Sequence, residues 1–287
     1  MKIGIMTDVN SGLDYVENPY DIKILRSSVN MNGRVYIDGL DIRADEFYHM
    51  LSKVERREDI PSTSAPALGD IYDLFDYYVE NGYTDIIHFP ISFQLSATGS
   101  TVVQVAEEYK DKLNVVVVNT KTACYMQGYL AMNAAKMVLD GASVEEIVKR
   151  SEFLVNNQAM YFVVGSLDYL VKNGRLSGTS GIIGNLLKIK PILELNKEGK
   201  IVQFEKIKTN LKARMRLVEL INEFVGTNTD VKVMIFHTGA LDAADHLKQL
   251  LNEMNPNIKD VETYYVTPAV GAHVGCGVAG VGVFKLS

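Results

Sequence analysis

The stretch that decides the fold runs from residue 85 to residue 122. Asp85-Ile-Ile-His-Phe-Pro-Ile91 is a β-rich apolar run, and Ser92-Phe-Gln-Leu-Ser-Ala-Thr-Gly-Ser100 is a loop of hydroxyls and glycine. Val102, Val103, Val105, Ala106 and Tyr109 lead into a helix, and Asn114-Val-Val-Val-Val118 is a second strand, closed by Asn119-Thr-Lys-Thr122. Strand, loop, helix and strand make a βαβ unit. The crossover helix forces the strands parallel, and a parallel sheet has both faces covered, so its strands are apolar almost throughout.

The same order recurs upstream. Residues 2–6 read as a strand stopped by Thr7-Asp-Val-Asn-Ser-Gly12, and Pro61-Ser-Thr-Ser-Ala-Pro66 as a polar loop with two prolines. Leu68, Ile71, Leu74, Phe75 and Tyr78 then predict a helix that ends at Asn81-Gly82. Between these, residues 22–45 carry β-like runs around Ile24 and Val35-Tyr-Ile37, separated by the hairpin signal Asn32-Gly33, and read as a small strand-rich excursion. Downstream, residues 126–139 are helical and Ser143-Val-Glu-Glu146 is a capping box.

From Met160 onward the order is mixed. A strand (160–164) and a short helix (167–171) precede the loop Lys172-Asn-Gly-Arg-Leu-Ser-Gly178. A hairpin of residues 193–195 and 201–204 turns at Gly199, followed by helices at 211–224 and 243–254 and strands at 232–236, 261–266 and 278–284. The reading is an α/β chain of two domains: residues 1–158 as a parallel-sheet α/β domain, and residues 159–287 as an α+β domain.

The length of 287 residues, 47% hydrophobic and 22% charged, suits a folded chain with a sizeable core. Lys plus Arg number 29 against 35 Asp plus Glu, a formal charge of −6, which gives no pull toward phosphate backbones, so nucleic acid is not an expected partner. Cys124 and Cys276 are the only cysteines and read as reduced thiols. No run of about 18 apolar residues occurs and the N-terminus lacks a basic segment before an apolar one, so a cytoplasmic protein without a membrane span is expected.

Catalytic signatures are sparse. Gly275-Cys-Gly-Val-Ala-Gly280 satisfies G-x-G-x-x-G but runs into a strand-like segment rather than a helix, so it reads as a tight turn with close backbone approach. The five histidines have no metal-ligand spacing, and neither a G-x-S-x-G elbow nor a Walker motif is present. Ser96 with His273 remains a possible nucleophile and base, since such pairs are defined by geometry and not by spacing. Thr7-Asp8, Ser62-Thr63-Ser64 and the loop 92–100 are hydroxyl-rich segments that a parallel sheet would gather at its carboxyl edge, each before a helix whose free N–H groups favour an anion. For Ser64 and Thr98 the alternative is plain N-capping. Hydroxyls without a Lys/Arg cluster suit a singly charged carboxylate better than a polyphosphate.

Seven segments in order carry a resemblance: Thr7-Asp8, Val35-Tyr-Ile-Asp-Gly39, Thr63-Ser-Ala-Pro66, Ile91-Ser-Phe-Gln-Leu-Ser-Ala-Thr98, Asn173-Gly-Arg-Leu-Ser177, Leu187-Lys-Ile-Lys-Pro191 and His273-Val-Gly275. Together they resemble the signature of the DegV family, over residues 3–286, with Ala97 where that family commonly has glycine. The resemblance implies a two-domain DegV-like α/β protein of bacterial fatty acid metabolism that holds one long-chain, palmitate-like fatty acid in a tunnel between its domains. It implies no catalysis by the chain itself and no cofactor or metal. Its partner would be a separate fatty acid kinase that converts the presented carboxylate to acyl phosphate. Thr63 and Ser96 correspond to the carboxylate-binding Thr and Ser, flanked by Ser64 and Ser92, while Arg175 and His273 would face the head group from the second domain. Ile182, Ile183, Leu186 and Leu187 follow the Gly-rich loop as tunnel wall or ordinary core. The readings from other classes are an acyl hydrolase or acyltransferase using Ser96 and His273, and a binder of another small carboxylate or phosphate.

Overall fold

The computed structural model describes residues 2–178, 190–256 and 258–287. Ile182, Ile183, Leu186 and Leu187 lie outside the described residues. Strands β1 (Ile3–Asp8), β2 (Ile22–Leu25), β6 (Asp85–Phe89) and β7 (Asn114–Val117) form a parallel sheet in the order β2-β1-β6-β7. Helices α2 (Leu68–Glu80) and α3 (Thr98–Tyr109) cover one face, packing Ile71, Phe75, Tyr78, Val102 and Val105 on Met6 and Ile86. The 85–122 segment is thus the βαβ unit its pattern predicts.

The region after residue 44 and the polar 61–66 stretch differ from expectation. Strand β2 pairs with β1 in the main sheet. The excursion is a separate three-stranded antiparallel sheet, β4-β3-β5, of β3 (Ser28–Met31), β4 (Arg34–Ile37) and β5 (Ser62–Ser64). Its hairpin turns on Asn32 and Gly33, both at positive φ (53° and 73°), the type I′ geometry that Asn-Gly favours. Ser62-Thr-Ser64, read as loop, is a strand because it pairs with β3, a partner 34 residues away that no local pattern reveals. Helix α1 (Ala44–Leu51), unassigned from sequence, buries Phe47, Tyr48 and Leu51.

Strands β8 (Gln158–Val163), β9 (Lys190–Leu195), β10 (Ile201–Ile207), β11 (Val231–His237), β12 (Glu262–Tyr265) and β13 (Ala279–Lys285) make a mixed sheet ordered β10-β9-β8-β13-β11-β12. Helices α7 (Asn210–Val225) and α8 (Leu241–Met254) cover its outer face through Leu217, Ile221, Leu247 and Leu251. Helix α5 (Val144–Asn156) opens on the capping box of Ser143 and Glu146.

Helix α4 (Cys124–Leu139) lies between the two sheets, against β1 and β6 on one side and β11 on the other. The part of the helix that lies between the sheets is apolar or small on most of its surface, as Met126, Gly128, Leu130, Ala131, Ala134 and Ala135 show, while Lys136 and Leu139 near its C-terminal end are exposed. Gly128 is required: a Cβ there would sit 2.5 Å from the Ser11 carbonyl oxygen. One continuous core, including Ile5, Phe89, Met126, Phe236 and Phe284, joins the two sheets through this helix.

The short helices α6 (Asp168–Lys172) and α9 (Pro268–Val274) complete the contact between halves. Pro268 at the first turn sets the entry of α9, and Gly275 at φ 78° ends it. The helix leaves the second sheet and rests on α1, β3 and β5. Asp38 receives it: its Oδ2 accepts the Ala269 N–H at 2.7 Å, while Arg26 pairs bidentately with Asp14 and donates to the Asp38 carbonyl. The G-x-G-x-x-G run is the turn from α9 into β13, and residue 165 must be glycine because a Cβ there would meet the Cys276 carbonyl oxygen at 2.7 Å.

Candidate ligand-binding site

Where β5, the β6–α3 loop, the loop after α6 and α9 converge, they enclose a cavity of about 140 Å³. Thr63, Ser64, Ser96, Arg175 and His273 all line it. Strand pairing with β3 fixes Thr63, whose Oγ1 lies 2.8 Å from His273 Nε2 across 210 residues of sequence. Ser96 Oγ accepts the Thr98 N–H at 3.2 Å and lies 2.9 Å from Thr98 Oγ1. Arg175 Nε donates to the Leu95 carbonyl at 3.3 Å and Nη1 to the Asn173 carbonyl, which leaves Nη2 without a partner among the described residues.

Burial, and second to it the positive charge of Arg175, together push the His273 imidazole down to about 4. The ring is therefore neutral near pH 7, and its Nδ1 is buried with no hydrogen-bond partner in the described structure. Among the described residues Arg175 is the one charged group on the cavity wall, and no carboxylate stands beside it there. Helix α3 begins beside the cavity with Ala97 as N-cap; Ser96 Oγ takes the Thr98 N–H, and no side chain caps from Ala97 itself, which leaves the following first-turn N–H groups to a ligand or solvent. Ala97 is right-handed helical (φ −77°), so its methyl is accommodated without strain where the resembled family has glycine. Such a wall complements a single negative charge.

Ser92 falls outside this cluster. It is buried, its hydroxyl donates to the Gly199 carbonyl at 2.8 Å and accepts the Gln94 N–H, and it ties the first half to the β9–β10 turn. Ser64 is exposed at the rim and accepts from Asn30 Nδ2. Neither Ser64 nor Thr98 is an N-cap, since α2 and α3 start behind Ala67 and Ala97. Thr7 and Asp8 are wired internally: Gln127 Nε2 reaches Thr7 Oγ1, Asp8 Oδ1 and the Phe89 carbonyl, and Asp8 Oδ2 accepts the Ile91 N–H. Asp8 also accepts from Asn10, which does reach the cavity wall. Asn10 was visible as a turn residue only. Val270 and Val274 went unrecognised because α9 spans seven residues, too few to show a period.

Four residues of the polar cavity, Leu95, Ile201, Val270 and Val274, also line a second cavity of about 40 Å³ deeper between the sheets. Its remaining walls include Cys124, Phe162, Phe236, Val266 and Val278, with no polar side chain among them. Cys124 and Cys276 are both free thiols, and burial pushes the Cys124 thiol up to about 12, so it behaves as a small apolar group. Among the described residues no group of three His, Cys, Asp or Glu side chains is placed to hold a metal, and no helix is long and apolar enough to cross a membrane.

A parallel α/β half and a mixed-sheet half, meeting at a cleft with a cationic, hydroxyl-lined mouth and an apolar interior, define the class: a two-part α/β protein with an amphiphilic cleft between its parts. The chain belongs to the DegV family, since a family model described as an uncharacterised protein of that family matches residues 2–286. A DegV domain-containing protein of Clostridium acetobutylicum is 31% identical over 285 residues, 99% of each chain. Among solved structures, a fatty acid binding DegV family protein of Streptococcus agalactiae matches with a TM-score of 0.91 at 32% identity, covering 99% of each chain. DegV of Bacillus subtilis, described as a fatty acid binding protein, matches at 0.85 and 28% identity, also over 99% of each.

Proposed function

We propose that this chain binds one long-chain, palmitate-like fatty acid between residues 1–158 and residues 159–287, with its carboxylate at Thr63, Ser96, Arg175 and His273. It presents that carboxylate to a separate fatty acid kinase in the cytoplasm and has no catalytic activity, cofactor or metal of its own. The observation that carries this reading is the direct succession of the two cavities: among the described residues, a polar mouth with one cation shares four apolar residues with an interior that has no polar side chain. The fatty acid binding relatives of S. agalactiae and B. subtilis support the same ligand class.

Burying sixteen carbons at roughly 0.8 kcal/mol per CH₂ contributes on the order of 10 kcal/mol before immobilisation costs, enough to retain the ligand. Hydroxyls and Arg175 offset desolvation of the carboxylate. The cavities, about 140 and 40 Å³, are smaller than the roughly 300–1,000 Å³ of small-molecule sites, so an entering chain displaces Leu95, Ile201, Val270 and Val274. Hydrolysis by Ser96 and His273 is disfavoured by the geometry: Ser96 pairs with Thr98, His273 Nε2 with Thr63, and no carboxylate orients Nδ1.

Native mass spectrometry before and after solvent extraction, on the wild type and on Thr63→Ala and Ser96→Ala, tests the reading. A stoichiometric fatty acid depleted in both variants is the expected result. A wild type that carries none and takes up none when it is added would overturn it, and an esterase activity lost in Ser96→Ala would replace it with the hydrolase. Adding the kinase and ATP to the loaded protein and assaying acyl phosphate tests the partnership.

A further inference from the structure

Beyond the apolar cavity lies a third space, a groove of about 680 Å³ that also borders both halves of the chain. Met160 and Leu195 line the groove and the apolar cavity alike. They belong to adjacent antiparallel strands whose register pairs Tyr161 with Glu194 and Phe162 with Leu193, so Met160 and Leu195 stand side by side on one sheet face. Phe162, on that same face two residues along, lines the apolar cavity. The segment 121–124 divides in the same way: Lys121 and Thr122 face the groove, Ala123 and Cys124 the cavity. The apolar interior is therefore separated from the groove by two flexible side chains and one loop.

The character of the space changes at that partition. Among the described residues the cavity side has no polar side chain, whereas the groove has Lys121, Asn156, Gln158, Glu194 and Lys197, and the Gln158 Oε1 is buried with no partner. Methionine is unbranched, has three rotatable bonds and yields to differently shaped neighbours more readily than a β-branched or aromatic residue. A chain end arriving at this point meets a side chain that can swing aside, with a hydrated polar space behind it.

We infer that the far end of the acyl channel is a gate of Met160 and Leu195 rather than a closed wall, and that the ligand class extends to very long acyl chains, including those with a polar ω terminus, whose ends emerge in the groove. The inference rests on the fatty acid reading above and adds the rule by which chain length is selected. A closed apolar end would reject an ω-carboxylate, because burying an unpaired charge there is prohibitive; a gated end leaves it in water beside Lys121 and Lys197.

The test is competition binding by native mass spectrometry with hexadecanoic, docosanoic and docosanedioic acids on the wild type, Met160→Phe and Leu195→Phe. The wild type is expected to bind all three within roughly tenfold, and either aromatic substitution to lower the two longer acids by roughly tenfold or more relative to hexadecanoic acid. A cooperative thermal unfolding transition like that of the wild type shows that a variant is folded, and Met160→Ala, which widens the gate, supplies a second measurement with the opposite expected shift. A wild type that binds hexadecanoic acid but neither longer acid overturns the gate and leaves the fatty acid reading standing. So do aromatic variants with an unchanged profile. A wild type that binds no fatty acid overturns both.

Discussion

Two polar clusters formed by distant segments differ in how completely their groups are paired. In the cluster around Asp8, both carboxylate oxygens accept hydrogen bonds, from Asn10, Gln127 and the Ile91 N–H, and the carboxylate is wholly enclosed, with Gln127 Oε1 left without a partner among the described residues. In the cluster around Thr63, His273 Nδ1 and Arg175 Nη2 lack partners among the described residues, and the groups surround a cavity. Both contain the hydroxyls and turn residues that sequence inspection groups together. Paired and enclosed polar groups hold elements in place; under-paired ones around a space are arranged for something that enters it.

Breaking the first cluster has the larger effect on stability. Gln127→Leu removes the amide that joins Thr7, Asp8 and the Phe89 carbonyl and leaves Asp8 short of a donor, at a cost of about 3 kcal/mol. Calorimetry should show the melting temperature lower by roughly 6–12 °C, with fatty acid occupancy of the folded fraction unchanged. Thr63→Val, a similar change of a hydroxyl for a methyl, should shift stability by under about 1 kcal/mol yet lower fatty acid affinity by roughly tenfold in a competition titration. If the two variants exchange these phenotypes, the distinction between the clusters is wrong.

The pH dependence of stability separates the two sides further. The His273 pKa near 4 in the folded chain, against 6.5 for a free imidazole, means that the unfolded state binds the proton first as pH falls. Stability therefore drops between pH 6.5 and 4, by up to about 3 kcal/mol from this group. His88, lowered to about 3, and His237, also lowered by burial, act in the same direction, so the effect of His273 is the difference between wild type and His273→Gln in urea titrations. Asp38 acts oppositely: burial raises it to about 7 from 3.8, so its contribution to stability is present at low pH and is lost as pH rises to 7. Asp38→Asn, which keeps an acceptor for the Ala269 N–H, should lose that decline. The smallest effect is expected for Ser92→Ala, about 1 kcal/mol with unchanged fatty acid occupancy, because its hydroxyl joins Gly199 and not the cavity.

Much of this was legible before any coordinates. The strands and helices of residues 85–122, the Asn32-Gly33 hairpin, the Ser143 capping box and the turn at Gly199 are decided by neighbours within a few residues, so composition and period reveal them. Strand β5 was not, because it exists through pairing with β3, and α9 was not, because it is held by Asp38 and Pro268 rather than by a long amphipathic pattern. Among the site residues, Thr63, Ser96, Arg175 and His273 were nameable from their motifs. The exclusion of Ser92 required its hydrogen bond to a carbonyl 107 residues away.

The sequence by itself determined the α/β class, the succession of the longer strands and helices and the chemistry that the site residues could offer, because these follow from local periodicity, turn chemistry and side-chain type. Only the tertiary structure decided which hydroxyls face a cavity and which are wired into the core, that His273 meets Thr63, and that the polar mouth adjoins an apolar interior. Those outcomes depend on contacts between segments as much as 210 residues apart, whose geometry is set by the packing of two sheets around α4 and not by any stretch of chain alone.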